Sequence, residues 1–196
     1  MRKRLVVGLT GSFGTGKSTV SRILENLGAR KMINADQLVH EVFKRHHPIG
    51  RKIKSLFHMS GILNRKRIAG EVFRNPAKRR RLEALIHPYV RRRMLEELKS
   101  IRDGIAILEV PLLFEAGFDR LCDVTVSVLA SERTIIRRLA KRGFASEEVK
   151  KRLETQLSQS EKKKRSDFFI INSGSKKLLV QKTKSVWKKL QPSASD

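Results

Sequence analysis

Acidic residues are scarce in this chain. Its 196 residues carry 19 Asp+Glu against 44 Lys+Arg, a formal net charge of +25. Cysteine is scarcer still. The single Cys122 excludes an intrachain disulfide and offers no zinc cluster, so a cytoplasmic protein is expected. There is one Tyr and one Trp, which leaves the basic clusters Lys78 to Arg81, Arg91 to Arg93 and Lys162 to Arg165 without flanking aromatics on which bases could stack. Those clusters fall on helix-like segments and read as solvated helix faces rather than as a nucleic-acid surface. Nucleic acid is therefore not expected as a partner, although such a charge would also draw in any anionic small molecule. No apolar run reaches the length of a membrane span, so no membrane partner is expected either. Met1-Arg2-Lys3-Arg4 precedes an apolar stretch too short for a signal peptide, and that stretch runs straight into a glycine-rich segment. No repeat or low-complexity linker divides the chain, and nothing in it speaks to oligomeric state. Its length and 39% hydrophobic content suit one domain with a full core.

Against these absences stands one dense motif, Gly11-Ser12-Phe13-Gly14-Thr15-Gly16-Lys17-Ser18-Thr19, which fits G-x-x-x-x-G-K-[ST]. The apolar run Leu5 to Leu9 before it reads as a buried strand. Thr19 to Leu27 after it reads as a helix, with Val20, Ile23, Leu24 and Leu27 on one stripe and Gly28 as a C-terminal cap. In that setting the loop's N–H groups, including those of Gly14, Thr15 and Gly16, converge on a phosphate at the helix N-terminus. Lys17 is expected to reach the β- and γ-phosphates, with Ser18 on Mg²⁺. A nucleoside triphosphate is the expected ligand.

Five apolar runs read as strands: Arg4 to Thr10, Arg30 to Ala35, Ile105 to Val110, Asp123 to Leu129 and Asp167 to Asn172. They alternate with helical periodicity, which implies βαβ crossovers and a parallel sheet. Between Ala35 and Ile105 the pattern is helical throughout. Leu82, Leu85 and Ile86 form one partial stripe. Pro88 is expected to restart the chain at a helix N-terminus, with Val90, Met94, Leu98 and Ile101 on the next face. A second excursion, Ser131 to Ser166, is dense in Arg and Lys. The core is thus expected over 1–36, 105–130 and 167–190, with a helical substrate-binding insertion over 37–104 and a lid over 131–166. Both excursions are expected at the carboxyl edge of the sheet, where ligands of such folds bind. The tail 192–196 is expected to fray.

Several residues at that edge can carry chemistry. Asp36 follows the second strand, where a carboxylate can accept a proton from an attacking hydroxyl or hold the metal's water shell; it reads equally as a first-turn acid of the next helix. Glu109 ends the third apolar run and resembles a Walker-B acid. Glu115 is a weaker candidate with a structural reading. Arg138 and Arg142, four apart, are expected to share a helix face and to meet phosphates from a lid. Asn172-Ser173-Gly174 ends the last strand, where a loop can offer backbone groups to an adenine edge. His87 reads as a packed or capping residue.

Together these stretches resemble the dephospho-CoA kinase family, from about Leu5 to Leu190. The resemblance rests on Gly8-Leu9-Thr10-Gly11 with Gly14 to Thr19, on Ala35-Asp36, and on Leu63-Asn64-Arg65 with Val72-Phe73. It continues through Leu85-Ile86-His87-Pro88, Val110-Pro111-Leu112-Leu113-Phe114-Glu115, Arg138 with Arg142, Gln156, and Asn172 with Gly174. It implies a P-loop NTPase-type three-layer α/β fold with a five-stranded parallel sheet, an inserted helical substrate domain and a lid. It implies ATP and Mg²⁺ as donor and cofactor, and transfer of the γ-phosphoryl to the ribose 3′-hydroxyl of dephospho-CoA. By the resemblance Asp36 is the base or orienting acid, Lys17 and Arg138 clamp phosphates, and Ser18 with Glu109 serves the metal. The nucleotide side takes Gly14, Thr15, Gly16, Lys17, Ser18, Thr19, Arg142, Asn172 and Gly174; the acceptor side takes Asp36, Arg65 and His87. The chain departs from the family's common pattern at Ser12 and Phe13 (Gly and Ile), Asn34 (Asp), Glu109 (Asp) and Ile171 (Asp). Another nucleoside or nucleotide kinase, or a basic P-loop protein acting on nucleic acid, are the rival readings. A GTPase is disfavoured because no [NT]-K-x-D segment occurs.

Overall fold

A computed structural model of the chain describes residues 4–191; the tail expected to fray lies outside them. The chain forms strands β1 (Leu5–Thr10), β2 (Lys31–Asn34), β3 (Ile105–Glu109), β4 (Val124–Leu129) and β5 (Phe168–Ile171). They make one five-stranded sheet in the order β2-β3-β1-β4-β5. β1 pairs in parallel with both β3 and β4, and β4 with β5. Parallel strands covered on both faces need apolar side chains throughout, and β3 is buried at every position. Each run read from the sequence is present, trimmed by a residue or two at its ends.

Helix α1 (Lys17–Asn26) follows the glycine loop directly. Its Val20 and Leu24 pack with Leu179, Val186, Trp187 and Leu190 of the last helix, α9 (Lys176–Leu190), and with Val7, Leu9, Ile107, Val126 and Val128 of the sheet. Gly28, at φ +104°, closes α1: its N–H donates to Glu25 O and that of Ala29 to Leu24 O, a Schellman ending. The excursion after β4 builds α6 (Glu132–Ala140), α7 (Ser146–Glu154) and α8 (Gln159–Arg165). Ile135, Leu139 and Val149 form a small core there, joined by Phe13 of the glycine loop, Phe144 and Leu153.

The chain divides into two compact units, one holding the residues up to Ile33 and from Leu98 on, the other Asn34–Glu97. The second contains α2 (Ala35–Val42), α3 (Pro48–Leu56), α4 (Arg65–Arg74) and most of α5 (Pro76–Lys99). Here the expected restart at Pro88 is overturned, because α5 runs unbroken through it. An interior proline costs a helix about 3 kcal/mol. Ile86, Val90, Met94 and Leu98 are all buried along one stripe, and each such side chain returns about 1.5–3 kcal/mol. Packing therefore outweighs the lost hydrogen bond. The true N-terminus is at Pro76, where Asn75 Oδ1 accepts from Lys78 N at 3.0 Å. Among the described residues no helix is long and apolar enough to cross a membrane.

Candidate active site

The glycine loop occupies residues 11–16 between β1 and α1. Two of its glycines are required by backbone shape: Gly14 has φ +82° and Gly16 φ +94°, a region that side chains strain to enter. At Gly16 space is short as well. A Cβ there would lie 2.2 Å from Asn172 Nδ2, so the loop and the end of β5 touch backbone to side chain. Asn172 is buried, and its Nδ2 donates to Thr15 O at 2.7 Å. Thr15 is itself tied to Ser12 O through its hydroxyl at 2.9 Å. The loop is thereby braced from outside through Thr15 O, and within it Thr15 N donates to Ser12 O at 3.2 Å.

Arg138, on α6, completes this cluster. One guanidinium nitrogen donates to Thr15 O at 3.4 Å and another to Asn172 Oδ1 at 3.2 Å. Burial, with the neighbouring charge of Arg137, pulls its pKa below the ordinary arginine value. A partly desolvated cation thus sits against the carbonyl of the phosphate loop. Asn172 emerges as the residue that orients it, a side-chain duty that the sequence did not suggest.

Lys17 opens α1 and Ser18 and Thr19 follow it in the first turn. Ser18 Oγ donates to Glu109 Oε1 at 3.0 Å, which brings together the two residues expected to serve a metal. Glu109 is only 6% exposed, and a buried carboxylate facing a hydroxyl suits a hard divalent cation in want of oxygen ligands. The longer acid at this position is accommodated because β3 and β1 are in register from Leu5–Ile105 to Leu9–Glu109, which places Glu109 beside the start of the loop.

Arg142 does not share a helix face with Arg138. α6 ends at Ala140, and the chain turns through Arg142 N to Leu139 O. The guanidinium of Arg142 instead lies 6.0 Å from the Phe144 ring centroid. Gly174 sits in the turn before α9, whose N-cap is Ser175. The Ser173 hydroxyl in that turn accepts from Ser131 N at 3.0 Å, tying the loops after β4 and β5.

Two side chains from the 156–162 segment, Gln156 of the resemblance and Lys162, have contacts that the sequence did not suggest. Gln156 Oε1 accepts from Phe13 N at 3.3 Å, fastening the glycine loop to the connection between α7 and α8. Lys162, read as part of a solvated basic face, is fully buried. Its ammonium donates to Glu115 Oε1 at 2.7 Å and to Pro111 O at 3.1 Å, and Thr10 Oγ1 reaches the same carbonyl. Other members of the basic clusters are paired on helix surfaces, Lys78 with Glu71 at 2.6 Å and Arg93 with Glu96 at 3.0 Å.

Within the helical unit, Asp36 lies exposed in the first turn of α2. Asn34, which stands where an acid is common, caps that helix: its Oδ1 accepts from Asp36 N at 2.9 Å and Gln37 N at 3.2 Å. Losing the charge has not lost the cap. Arg65 starts α4, contacts His40 Nδ1 and lies 5.2 Å from the Phe43 ring centroid. His87 is half-buried in α5, and that burial is the main reason its pKa falls below the usual histidine value.

A family model for dephospho-CoA kinase matches residues 5–177. The chain belongs to the dephospho-CoA kinase family. A dephospho-CoA kinase of Leptospira interrogans is 37% identical over 96% of this chain and 94% of its own length. One from Saccharomyces cerevisiae is 35% identical over 96% of this chain and 84% of its own. Among solved structures, a Thermus thermophilus protein matches with a TM-score of 0.84 at 33% identity, covering 97% of this chain and all of the other. Family membership and the P-loop kinase architecture seen here agree, and the nucleotide-binding loop takes its place as the donor end of a kinase.

Proposed function

We propose that this protein transfers the γ-phosphoryl group of ATP to the ribose 3′-hydroxyl of dephospho-CoA, giving CoA and ADP in the last step of CoA synthesis. The family match carries the acceptor, and the Arg138–Thr15–Asn172 cluster at the phosphate loop carries the reaction type. Phosphoryl transfer needs little covalent help from a protein; it needs positioning and positive charge where charge shifts.

In this reading the loop N–H groups of residues 14–19 and Lys17 hold the β- and γ-phosphates. Arg138 neutralises charge that builds on the phosphoryl oxygens as the bond to the β-phosphate breaks. Asp36 takes the proton of the 3′-hydroxyl as its oxygen bonds phosphorus, leaving ADP as the departing group. Ser18 and Glu109 are the residues that would hold Mg²⁺, which would supply positive charge against that of the phosphates. Arg142, Asn172 and Gly174 belong to the nucleotide side, and Arg65 and His87 of the helical unit to the acceptor side. Residues 131–166 act as the lid that keeps water from the γ-phosphate. A small-molecule enzyme of this kind works in the cytoplasm.

A coupled ADP-release assay with dephospho-CoA, AMP, CMP and shikimate tests the acceptor. Turnover of dephospho-CoA should exceed the others by orders of magnitude. Equal or faster turnover of a mononucleotide would reassign the enzyme.

A further inference from the structure

Phe13 is the bulky residue of the glycine loop, and the proposed reaction makes no use of it. Its side chain is partly buried against the small core of Ile135, Leu139 and Val149, with Phe144 and Leu153 alongside. The Phe13 and Phe144 rings meet edge to face, with centroids 5.2 Å apart and planes at 84°. The guanidinium of Arg152, on α7, lies 5.0 Å from one centroid and 5.1 Å from the other, so a single cation faces both rings. The backbone at this residue is held as well, since Phe13 N donates to Gln156 Oε1. The apex of the phosphate loop is thus packed into the segment that carries α6 and α7.

That packing bears directly on Arg138. Ile135, Arg138 and Leu139 are three and four residues apart on α6 and are neighbours on its surface. Ile135 and Leu139 press on the loop. A Cβ at Gly14 would lie 2.8 Å from a Leu139 methyl and 3.0 Å from one of Ile135. Arg138, beside them, reaches Thr15 O and Asn172 Oδ1 at 3.4 and 3.2 Å. Both bonds are long against the ordinary ~2.9 Å, so they follow the placement of the helix rather than impose it. What sets the height of α6 above the loop is the apolar body beneath it. Close-packed side chains transmit a displacement instead of absorbing it, so a change at Phe13 moves the guanidinium.

We infer that Phe13 is a positioning residue for phosphoryl transfer: it seats α6 on the glycine loop and so aims Arg138. This rests on Arg138 serving the transfer, and not on which acceptor takes the phosphoryl group.

The test is a double-mutant cycle of Phe13→Ala and Arg138→Ala in the full-length protein, read in kcat and KM, with thermal melting as the check of folding. Phe13→Ala should cut kcat about tenfold, the effect of a misaimed group rather than an absent one. KM for the acceptor should stay within about twofold of wild type. In the Arg138→Ala background the same substitution should leave kcat unchanged, because no guanidinium remains to be aimed. Phe13→Leu keeps an apolar body under Ile135 and Leu139 and should restore most of kcat. Arg152→Ala, at a side chain 42% exposed, removes the cation from both rings without opening the core. It should lower kcat about threefold, again only where Arg138 is present, and it decides the matter should Phe13→Ala not fold. Equal losses of kcat in the two backgrounds overturn the proposal, as does normal kcat in a folded Phe13→Ala enzyme or in Arg138→Ala. A wild type that prefers another acceptor removes the reaction proposed above; the same cycle, read with that acceptor, then decides the role of Phe13.

Discussion

The Ser18 hydroxyl donates to Glu109 Oε1 across 3.0 Å, joining the first turn of α1 to the end of β3. Both groups are oxygen donors of the kind Mg²⁺ selects, and each orients the other. Glu109→Gln keeps the shape and removes the charge. It should raise the Mg²⁺ concentration for half-maximal rate by about 10–100-fold. Ser18→Ala should do the same, and the double variant should lose less than the sum because the pair acts as one unit. Strict additivity in an Mg²⁺ titration of the rate would separate the two residues.

Arg138 is held by Thr15 O and Asn172 Oδ1, so two substitutions distinguish the charge from its placement. Arg138→Ala should cut kcat by about 10²–10³ with a small change in KM for ATP. Asn172→Ala leaves the guanidinium present but unoriented, and should cut kcat less, by about tenfold. Measuring ATP hydrolysis without acceptor adds a second axis, since on the proposed role of residues 131–166 a loosened closure would admit water. Equal losses in both variants would mean that Asn172 serves the fold of the loop rather than the arginine.

Asp36 is exposed in the first turn of α2, and the proposed reaction gives it the proton of the acceptor hydroxyl. Asp36→Asn is close in shape and leaves the Asn34 cap in place. Turnover should fall by about 10²–10⁴ while the melting temperature stays near wild type. A folded Asp36→Asn enzyme with normal kcat would remove this carboxylate from proton transfer.

The glycine loop, the strands and the acids at their ends were readable because each depends on neighbours in sequence: positive φ needs Gly14 and Gly16, and buried parallel strands need unbroken apolar runs. What stayed hidden depends on distant partners. Pro88 looked like a helix start because the local rule is steric, whereas Val90 and Met94 bury enough surface to carry α5 through it. Arg142 keeps its spacing from Arg138, but spacing means a shared face only while the helix lasts. Lys162 lies in a run of four basic residues, and nothing local distinguishes it from Lys163 or Lys164. Its burial is decided by Glu115, 47 residues away. Asn172 likewise gains its role from Thr15, at a separation of 157.

His87 titrates below its ordinary value because burial disfavours the imidazolium, with Arg91 adding to the effect and Glu83 opposing it. The unfolded chain therefore takes up the proton first as pH falls below about 6.5. Stability that is complete above that pH is lost as pH drops toward the folded-state value, and then levels off. His87→Gln removes the titration. Between pH 7 and pH 5 its melting temperature should decline less than that of wild type; parallel declines would assign the acid sensitivity to other groups.

Lys162 is wholly buried and Glu115 is 19% exposed, and their 2.7 Å ion pair fastens α8 to the Val110–Glu115 segment. Replacing such a pair by apolar groups is often neutral, but removing one partner strands a charge. Lys162→Met should therefore destabilise by about 3 kcal/mol, because Glu115 keeps Leu157 N as a donor but loses the Lys162 countercharge. In a chain of this length that is a fall of roughly 10 °C in Tm. Adding Glu115→Leu should recover most of the loss, since the stranded carboxylate is gone and Pro111 O still accepts from Thr10. Thermal melts of the two single variants and the double close the cycle. A Lys162→Met protein that melts with wild type would show that the pair is energetically idle; a double variant no better than the single would locate the loss in the Pro111 contact instead.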